Sequence, residues 1–221
     1  MFISAIITAA GQGHRFGSQK QFKPLGGKPL YQYSLGIFIS SKIINEIILV
    51  VPNDNQYAIA KEIKDSSQSI VKVISGGAAR RHSVKSGVDA SSRDTDLVVI
   101  HDAARPFVTK EMLRSVIKAC EKSDGAIAAI PAVDTVKYLN NGVVEKTLDR
   151  NRVWLAQTPQ AFKKLKLLNA YRHYDLSNSA ITDESSIMEG MGYNISLVLG
   201  SQSNFKVTTK YDWKHAKGLL K

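Results

Sequence analysis

Apolar and polar positions follow two rhythms along this chain, and the switch between them recurs. Short continuous apolar runs at 2–8, 46–51, 71–75, 96–101 and 126–131 read as strands buried on both faces. Between and beyond them, apolar residues return every three or four positions. That period predicts helices over 30–40, 55–65, 80–91, 109–122, 163–174, 183–191 and 209–220. Thr109, with Met112 and Leu113 after it, reads as an N-cap before an amphipathic stretch. Strands alternating with helices predict an α/β fold with a mostly parallel sheet and crossover helices. Sheets of that kind bind ligands outside the carboxyl ends of their strands. The residues that leave the runs there are Ala9 to Arg15, Gly76-Gly77 and Asp102, so three polar segments are expected to meet at one crevice.

The stretch 133–160 breaks the rhythm. Segments 133–139 and 143–147 read as two strands around Asn140-Asn141-Gly142, a strong hairpin signal. Such a hairpin is an arm that grips a second subunit, a lid, or an extension of the sheet edge. No repeat, low-complexity tract or linker divides the chain, so its 221 residues are expected to form one domain, 1–221, with 133–160 as its arm.

Composition narrows the class. A hydrophobic share of 43% with 22% charged residues is that of a soluble globular protein. No run reaches the roughly 20 apolar residues of a membrane span. The chain opens directly into a strand with no basic leader, and its single cysteine, Cys120, suits a reducing cytoplasm and a core position in a helix. The net charge of +11 admits nucleic acid or smaller polyanions as partners. The basic residues are scattered, and the densest groups, Arg80-Arg81 and Lys163-Lys164-Lys166, are short. That favours phosphate-bearing small molecules, with a nucleic-acid binder as the remote alternative.

The first loop carries the most chemistry. Ala9-Ala10-Gly11-Gln12-Gly13-His14-Arg15, followed by Lys20-Gln21-Phe22-Lys23, sets two glycines beside an arginine and lysines. Glycines let backbone N–H groups approach a ligand, and the cations suit a triphosphate. The segment lacks the Gly-Lys-Ser/Thr of a P-loop and the third glycine of a dinucleotide fingerprint. Taken alone it is equally a glycine-rich turn with solvated cations. His101-Asp102-Ala103-Ala104-Arg105-Pro106 offers a carboxylate for sugar hydroxyls or a metal and a guanidinium for phosphate, or merely a local ion pair. Gly76-Gly77-Ala78-Ala79-Arg80-Arg81-His82-Ser83 reads as a glycine turn entering a helix, able to meet a base edge or to cap the helix. Thr182-Asp183-Glu184 reads as an N-cap with an acidic first turn. None of the five histidines has metal-site spacing, so no protein metal ligand is expected, and His101 reads as core at a strand end.

In order, these segments and Asp134-Thr135-Val136-Lys137, Gln157-Thr158-Pro159-Gln160-Ala161-Phe162 and Asn204-Phe205-Lys206-Val207-Thr208 resemble the 2-C-methyl-D-erythritol 4-phosphate cytidylyltransferase family from about Ile6 to Asp212. The resemblance implies a Rossmann-like three-layer nucleotidyltransferase fold and a homodimer joined by a protruding β-arm. It implies Mg²⁺-dependent transfer of CMP from CTP to a sugar-alcohol phosphate, with the metal held mainly by CTP phosphates. By motif match, Arg15 and Lys20 stabilise the transition state, and the backbone around Ala9, Ala10, Gly11 and Gly13 holds the triphosphate. Gly77, Ala78 and Ser83 meet cytosine, while Asp102, Ala103 and Arg105 meet the acceptor or its phosphate. Thr135, Arg150 and Thr158 line the acceptor site, the arm residues coming from the partner subunit, and Lys206 positions the attacking phosphate.

Two positions depart from the family's pattern: Gln19 stands where proline is usual, and Ala78 where an acidic residue is frequent. Ribitol 5-phosphate cytidylyltransferases share much of the motif order and are the nearest alternative. Ala9-Ala10-Gly11, Ala104 before Arg105, and the run from Pro131 to Lys137 look more like the methylerythritol pattern.

Overall fold

The structure, a computed structural model, describes residues 1–66, 68–174 and 181–220. Ser67, residues 175–180 and Lys221 of the expected domain lie outside the described residues. The elements run β1 (Ile3–Thr8), β2 (Pro24–Leu25), β3 (Lys28–Pro29), α1 (Leu30–Ser41), β4 (Glu46–Val51), α2 (Asn53–Asp65), β5 (Val71–Ser75) and α3 (Arg80–Ala90). Then come β6 (Leu97–Asp102), α4 (Lys110–Glu121), β7 (Gly125–Pro131), β8 (Lys137–Asn140), β9 (Val143–Thr147) and β10 (Trp154–Lys163). The chain finishes with α5 (Lys164–His173), α6 (Glu184–Gly190), β11 (Ile195–Leu199) and α7 (Lys210–Leu219). Thr109 and Asp183 cap α4 and α6 as expected, accepting from the Met112 and Ser186 amides, each at 3.1 Å.

Seven strands make one sheet in the order β11-β7-β10-β6-β1-β4-β5. Within it β10 runs antiparallel to both its neighbours, and the other pairs are parallel. From β1 the chain builds outward to β4 and β5, then returns to β1's other side with β6. Thr8 pairs with Val50 on one side and Asp102 on the other, so the three strands end level and their loops share one edge. A reversal of strand order at such an edge opens a crevice.

Alternate side chains of the strands feed two cores. On one face Ala5, Ile7, Ile47, Leu49 and Val99 pack with Phe38 of α1, Ile63 of α2 and Leu113 and Cys120 of α4. On the other, Ile6, Ile48, Val98 and Ile100 meet Val84 of α3, Leu167 of α5 and Met188 of α6. Burial on both faces is why the sequence shows continuous apolar runs rather than alternation. Each such side chain contributes about 1.5–3 kcal/mol when fully buried.

Two strands of the seven-stranded sheet depart from the sequence expectation. β10 carries Pro159 between polar residues, a composition that argues against a central strand. It is accommodated because its register on β7 shifts between Ala156 and Gln160. The expected arm therefore ends early: from Trp154 the chain is back in the main sheet. The projecting part is the hairpin β8–β9, closed at Asn141 (φ 48°) and Gly142 (φ 80°), the two left-handed positions of a type I′ turn. β11, a short strand at the sheet edge, is the other addition.

The irregular part of β10 does positional work. Asn204 Nδ2 donates to the Thr158 carbonyl at 2.9 Å, and Gln157 Nε2 donates to the Ser201 carbonyl at 2.8 Å. Arg105 Nη1 donates to the Asn204 carbonyl, and the Val207 amide to the Ala104 carbonyl, both at 2.8 Å. These bonds bring the segment before α7, and with it Lys206, to the tip of β6.

That tip is itself fixed by a buried relay. His101 Nε2 lies 3.2 Å from the Arg105 carbonyl, which can only accept, so Nε2 carries the proton. Nδ1 then accepts from Thr158 Oγ1 at 3.0 Å, and that oxygen accepts from the Asp102 amide at 3.0 Å. Burial pushes the His101 pKa from the usual 6.5 down to about 4, so the ring is neutral.

A folded state that holds His101 neutral is opposed by an unfolded state that takes up a proton below about pH 6.5. The stability is present above that pH and is lost as pH falls towards 4. Between pH 7 and pH 4.5 this one group is expected to cost about 2–3 kcal/mol of unfolding free energy. Urea unfolding at the two pH values checks it: His101→Gln lowers stability at pH 7 but flattens the loss on acidification. An unchanged slope would contradict a buried neutral imidazole.

Candidate active site

The loop after β1 is built to stay tight. Gly13 has φ 74°, and a Cβ there would lie 1.9 Å from the Ser18 carbonyl oxygen. The Phe16 and Gly17 amides both donate to the Gly13 carbonyl at 2.9 Å. Gln21 Nε2 pins the base of the loop by donating to the Ala9 and Gly11 carbonyls, each at 2.8 Å. With those carbonyls engaged, fewer carbonyl oxygens oppose the approach of an anion to the loop. Phe16 anchors the far side: it is buried and packs on Trp213 of α7, ring centroids 5.4 Å apart.

The turn after β5 lies against this loop. A Cβ on Gly76 would sit 2.3 Å from the Ala10 Cβ, so only glycine permits the approach. Ser83, one turn into α3, accepts from the Gly77 amide at 3.1 Å and donates to the Ala79 carbonyl at 3.2 Å. Its hydroxyl thus ties the turn onto the helix without capping it, since Ala79 stands at the N-cap with no side-chain cap bond.

Asp102, at the end of β6, is the charged centre. Arg80 Nε donates to its Oδ1 at 2.9 Å and Lys206 Nζ to its Oδ2 at 2.8 Å. Arg105 Nε lies 3.9 Å from Oδ2. Burial alone would raise the Asp102 carboxyl, but Lys206, Arg80 and Arg105 hold it well below the usual carboxylate range. Behind Arg80, Nη1 donates to Glu184 Oε2 at 2.8 Å, and Glu184 is fully enclosed at 1% exposure. Lys20 stands across the cleft, its pKa lowered by burial first and then by Lys206 and Arg15. Cations that depress one another in this way gain from a nearby anion.

Thr8, Ala9, Ala10, Gly11, Lys20, Gly77, Ala78, Ser83, Asp102, Ala103 and Lys206 share one cleft wall, and all but Thr8 are expected site residues. Arg15 is exposed, outside the cleft lining but near enough to Lys20 to depress its pKa, and Gly13 forms the loop's turn. Arg105 and Thr158 lie behind the wall: one holds Asn204, the other the relay to His101. Thr135 and Arg150 stand exposed near the hairpin, where Arg150 Nη1 donates to the Val133 carbonyl at 3.1 Å, and do not reach the cleft of their own chain. The sequence reading missed Arg80 and Glu184. Arg80 sat in the glycine-turn motif and in a short basic group with no role assigned, and Glu184 read as an acid in the first turn of a capped helix.

Three cations, Lys20, Arg80 and Lys206, line the cleft against one carboxylate, Asp102. Both Asp102 oxygens are taken by Arg80 and Lys206. Among the described residues no group of three or more His, Cys, Asp or Glu side chains is placed to hold a metal. What the cleft can do chemically is bind phosphates and stabilise negative charge; it offers no nucleophile and base pair. Among the described residues no helix is long and apolar enough to cross a membrane.

Comparison with known proteins agrees with this chemistry. The family model for 2-C-methyl-D-erythritol 4-phosphate cytidylyltransferase matches residues 3–221. Proteins of that name from Alkaliphilus oremlandii and Halalkalibacterium halodurans are each 37% identical, over 99% and 100% of this chain and 94% and 97% of their own. The crystal structure of 4-diphosphocytidyl-2C-methyl-D-erythritol synthase from Anaerococcus prevotii superposes with a TM-score of 0.88 at 34% identity, covering 99% of this chain and 98% of that one. The cleft therefore sits in an enzyme, a nucleotidyltransferase, and the chain belongs to the 2-C-methyl-D-erythritol 4-phosphate cytidylyltransferase family.

Proposed function

We propose that this chain transfers CMP from CTP to 2-C-methyl-D-erythritol 4-phosphate, giving 4-diphosphocytidyl-2-C-methyl-D-erythritol and pyrophosphate. The observation that carries the reading is the meeting of the glycine loop, the Gly77 turn and the Asp102–Lys206 pair in one cationic cleft of a chain of this family. An oxygen of the acceptor phosphate attacks the α-phosphorus of CTP, and the bond to the β-phosphate oxygen breaks as pyrophosphate leaves. A phosphate dianion is a competent nucleophile near neutral pH, so the protein's work is alignment and charge stabilisation. No general base is needed.

In this reading the backbone around Ala9, Ala10, Gly11 and Gly13 holds the triphosphate, the Ala9 amide itself being taken by the Val50 carbonyl, with Lys20 and Arg15 on the charge that develops at the α-phosphorus. Gly77 and Ala78 meet cytosine through backbone groups, since alanine has no polar side chain and the Ser83 hydroxyl is engaged by the turn. Asp102, Ala103 and Lys206 face the acceptor, while Arg105 and Thr158 keep that edge in place. Mg²⁺, held mainly by CTP phosphates, would supply further neutralisation beside Lys20.

The active unit is a homodimer in the cytoplasm. The β8–β9 hairpin supports the dimer: a two-stranded sheet is marginal alone, yet this one exposes Tyr138, Leu139, Val143 and Val144. A partner that covers it would also receive Thr135 and Arg150 near its acceptor site.

Pyrophosphate release from CTP, measured against a panel of sugar-alcohol phosphates with Mg²⁺, tests the substrate. The expected kcat/KM is at least about tenfold higher for methylerythritol phosphate than for ribitol phosphate, or about 1.4 kcal/mol of transition-state binding. Equal or reversed ratios would sink the acceptor assignment and leave cytidylyl transfer standing.

Shared sites have their own test. Lys20→Ala and Arg150→Ala are each expected to lose about 10²-fold in kcat. Mixed into heterodimers, the two variants should regain part of the activity, because one composite site is then intact. No recovery in confirmed heterodimers would place Arg150 outside the neighbour's site.

A further inference from the structure

A fully buried carboxylate is costly unless it is paired and bonded. Glu184 is the first residue of α6, a position where acids are ordinarily solvated, yet it is 1% exposed and turned towards the sheet edge. Among the described residues its hydrogen-bond partner is Arg80, and Arg80 lines the cleft. The guanidinium uses Nη1 on Glu184 and Nε on Asp102, at 2.8 and 2.9 Å. It is therefore held from two sides by two acids that belong to different layers of the fold. Asp102 is held likewise, by Arg80 on Oδ1 and Lys206 on Oδ2. The four side chains form one chain of alternating charge, Glu184, Arg80, Asp102, Lys206, with its buried end at α6 and its open end in the cleft.

The consequence follows from what each link fixes. A carboxylate gripped at both oxygens cannot rotate, so Asp102 presents one orientation to a ligand. That grip requires Arg80 to stay where it is. Arg80 has a flexible stem, about 2 kcal/mol of rotamer entropy and a partly exposed head, and Asp102 alone does not determine its rotamer. Glu184 does, by tethering the opposite side of the guanidinium. Burial raises the Glu184 carboxyl while Arg80 opposes that rise, which ties the acid's charge to the same contact.

We propose that Glu184 is a positioning residue for the acceptor half of the site, acting through Arg80 to hold Asp102 and Lys206 in their binding arrangement. This rests on the reading in which Asp102 and Lys206 face the acceptor. The loop that holds the triphosphate of CTP is set independently by Gln21 and by Phe16 on Trp213, so disturbing Glu184 leaves that part of the CTP half largely intact.

The test is steady-state kinetics of the full-length chain with CTP and methylerythritol phosphate varied separately, alongside thermal unfolding. Glu184→Ala is expected to lower kcat/KM for the acceptor at least about tenfold, with the KM for CTP within about twofold of the unaltered chain. Glu184→Gln keeps the shape and an accepting oxygen and should recover part of the loss. Arg80→Met should cost as much as Glu184→Ala, and the double variant little more than either, since both break one link. Should Glu184→Ala fail to fold, the Gln and Arg80→Met variants carry the same comparison. Reduced thermal stability with unchanged kinetics would make the pair a fold contact only and overturn the proposal. So would equal damage to both substrates, or additive losses in the double variant. Absence of CMP transfer by the unaltered chain would overturn the functional reading and this inference together, whereas normal transfer by all variants overturns this inference alone.

Discussion

The site depends on keeping one buried carboxylate charged. Asp102 ends a strand enclosed on both faces, where an isolated anion would cost several kcal/mol and take up a proton instead. Lys206 and Arg80 at hydrogen-bond distance, with Arg105 beyond them, reverse that preference. Much of the irregular structure serves those partners. The interruption of β10 and the side chain of Asn204 bring Lys206 in from one side. The turn at Gly76–Gly77 and the buried Glu184 deliver Arg80 from the other.

The alternating pattern of the chain made the sheet legible because burial on both faces leaves long apolar runs, and Ile47 to Val51 or Val98 to Ile100 admit little else. The glycine loop, Asp102 and Lys206 were legible as chemistry because their motifs stand at the carboxyl edge of those runs. β10 was not, since Pro159 and three polar neighbours hide a strand whose register shifts to accommodate them. Nor could local spacing reveal that Glu184 faces inward. That depends on α6 packing Ile187 and Met188 into the core, which turns the first residue of the helix towards Arg80.

Net charge alone admitted several kinds of partner, because much of the positive excess lies away from the cleft. The two densest basic groups are largely engaged inside the molecule. Lys164 is buried with Nζ donating to the Ser92 carbonyl at 2.7 Å, Lys166 pairs with Asp124, and Arg80 lies between two acids. What remains of the positive excess at the cleft is local and specific, set by Lys20 and Lys206 facing each other across it. Membership of the cytidylyltransferase family gives that excess a natural counterpart in phosphates.

In the proposed reaction the ionised Asp102, rather than the shape of its side chain, organises the acceptor site. Asp102→Asn preserves the shape and removes the charge that Arg80 and Lys206 share. Pyrophosphate release with saturating CTP and varied methylerythritol phosphate is the direct measurement. The account predicts a loss of about 10²-fold or more in kcat/KM for the acceptor in a variant that remains folded. Near-normal turnover in folded Asp102→Asn would contradict it.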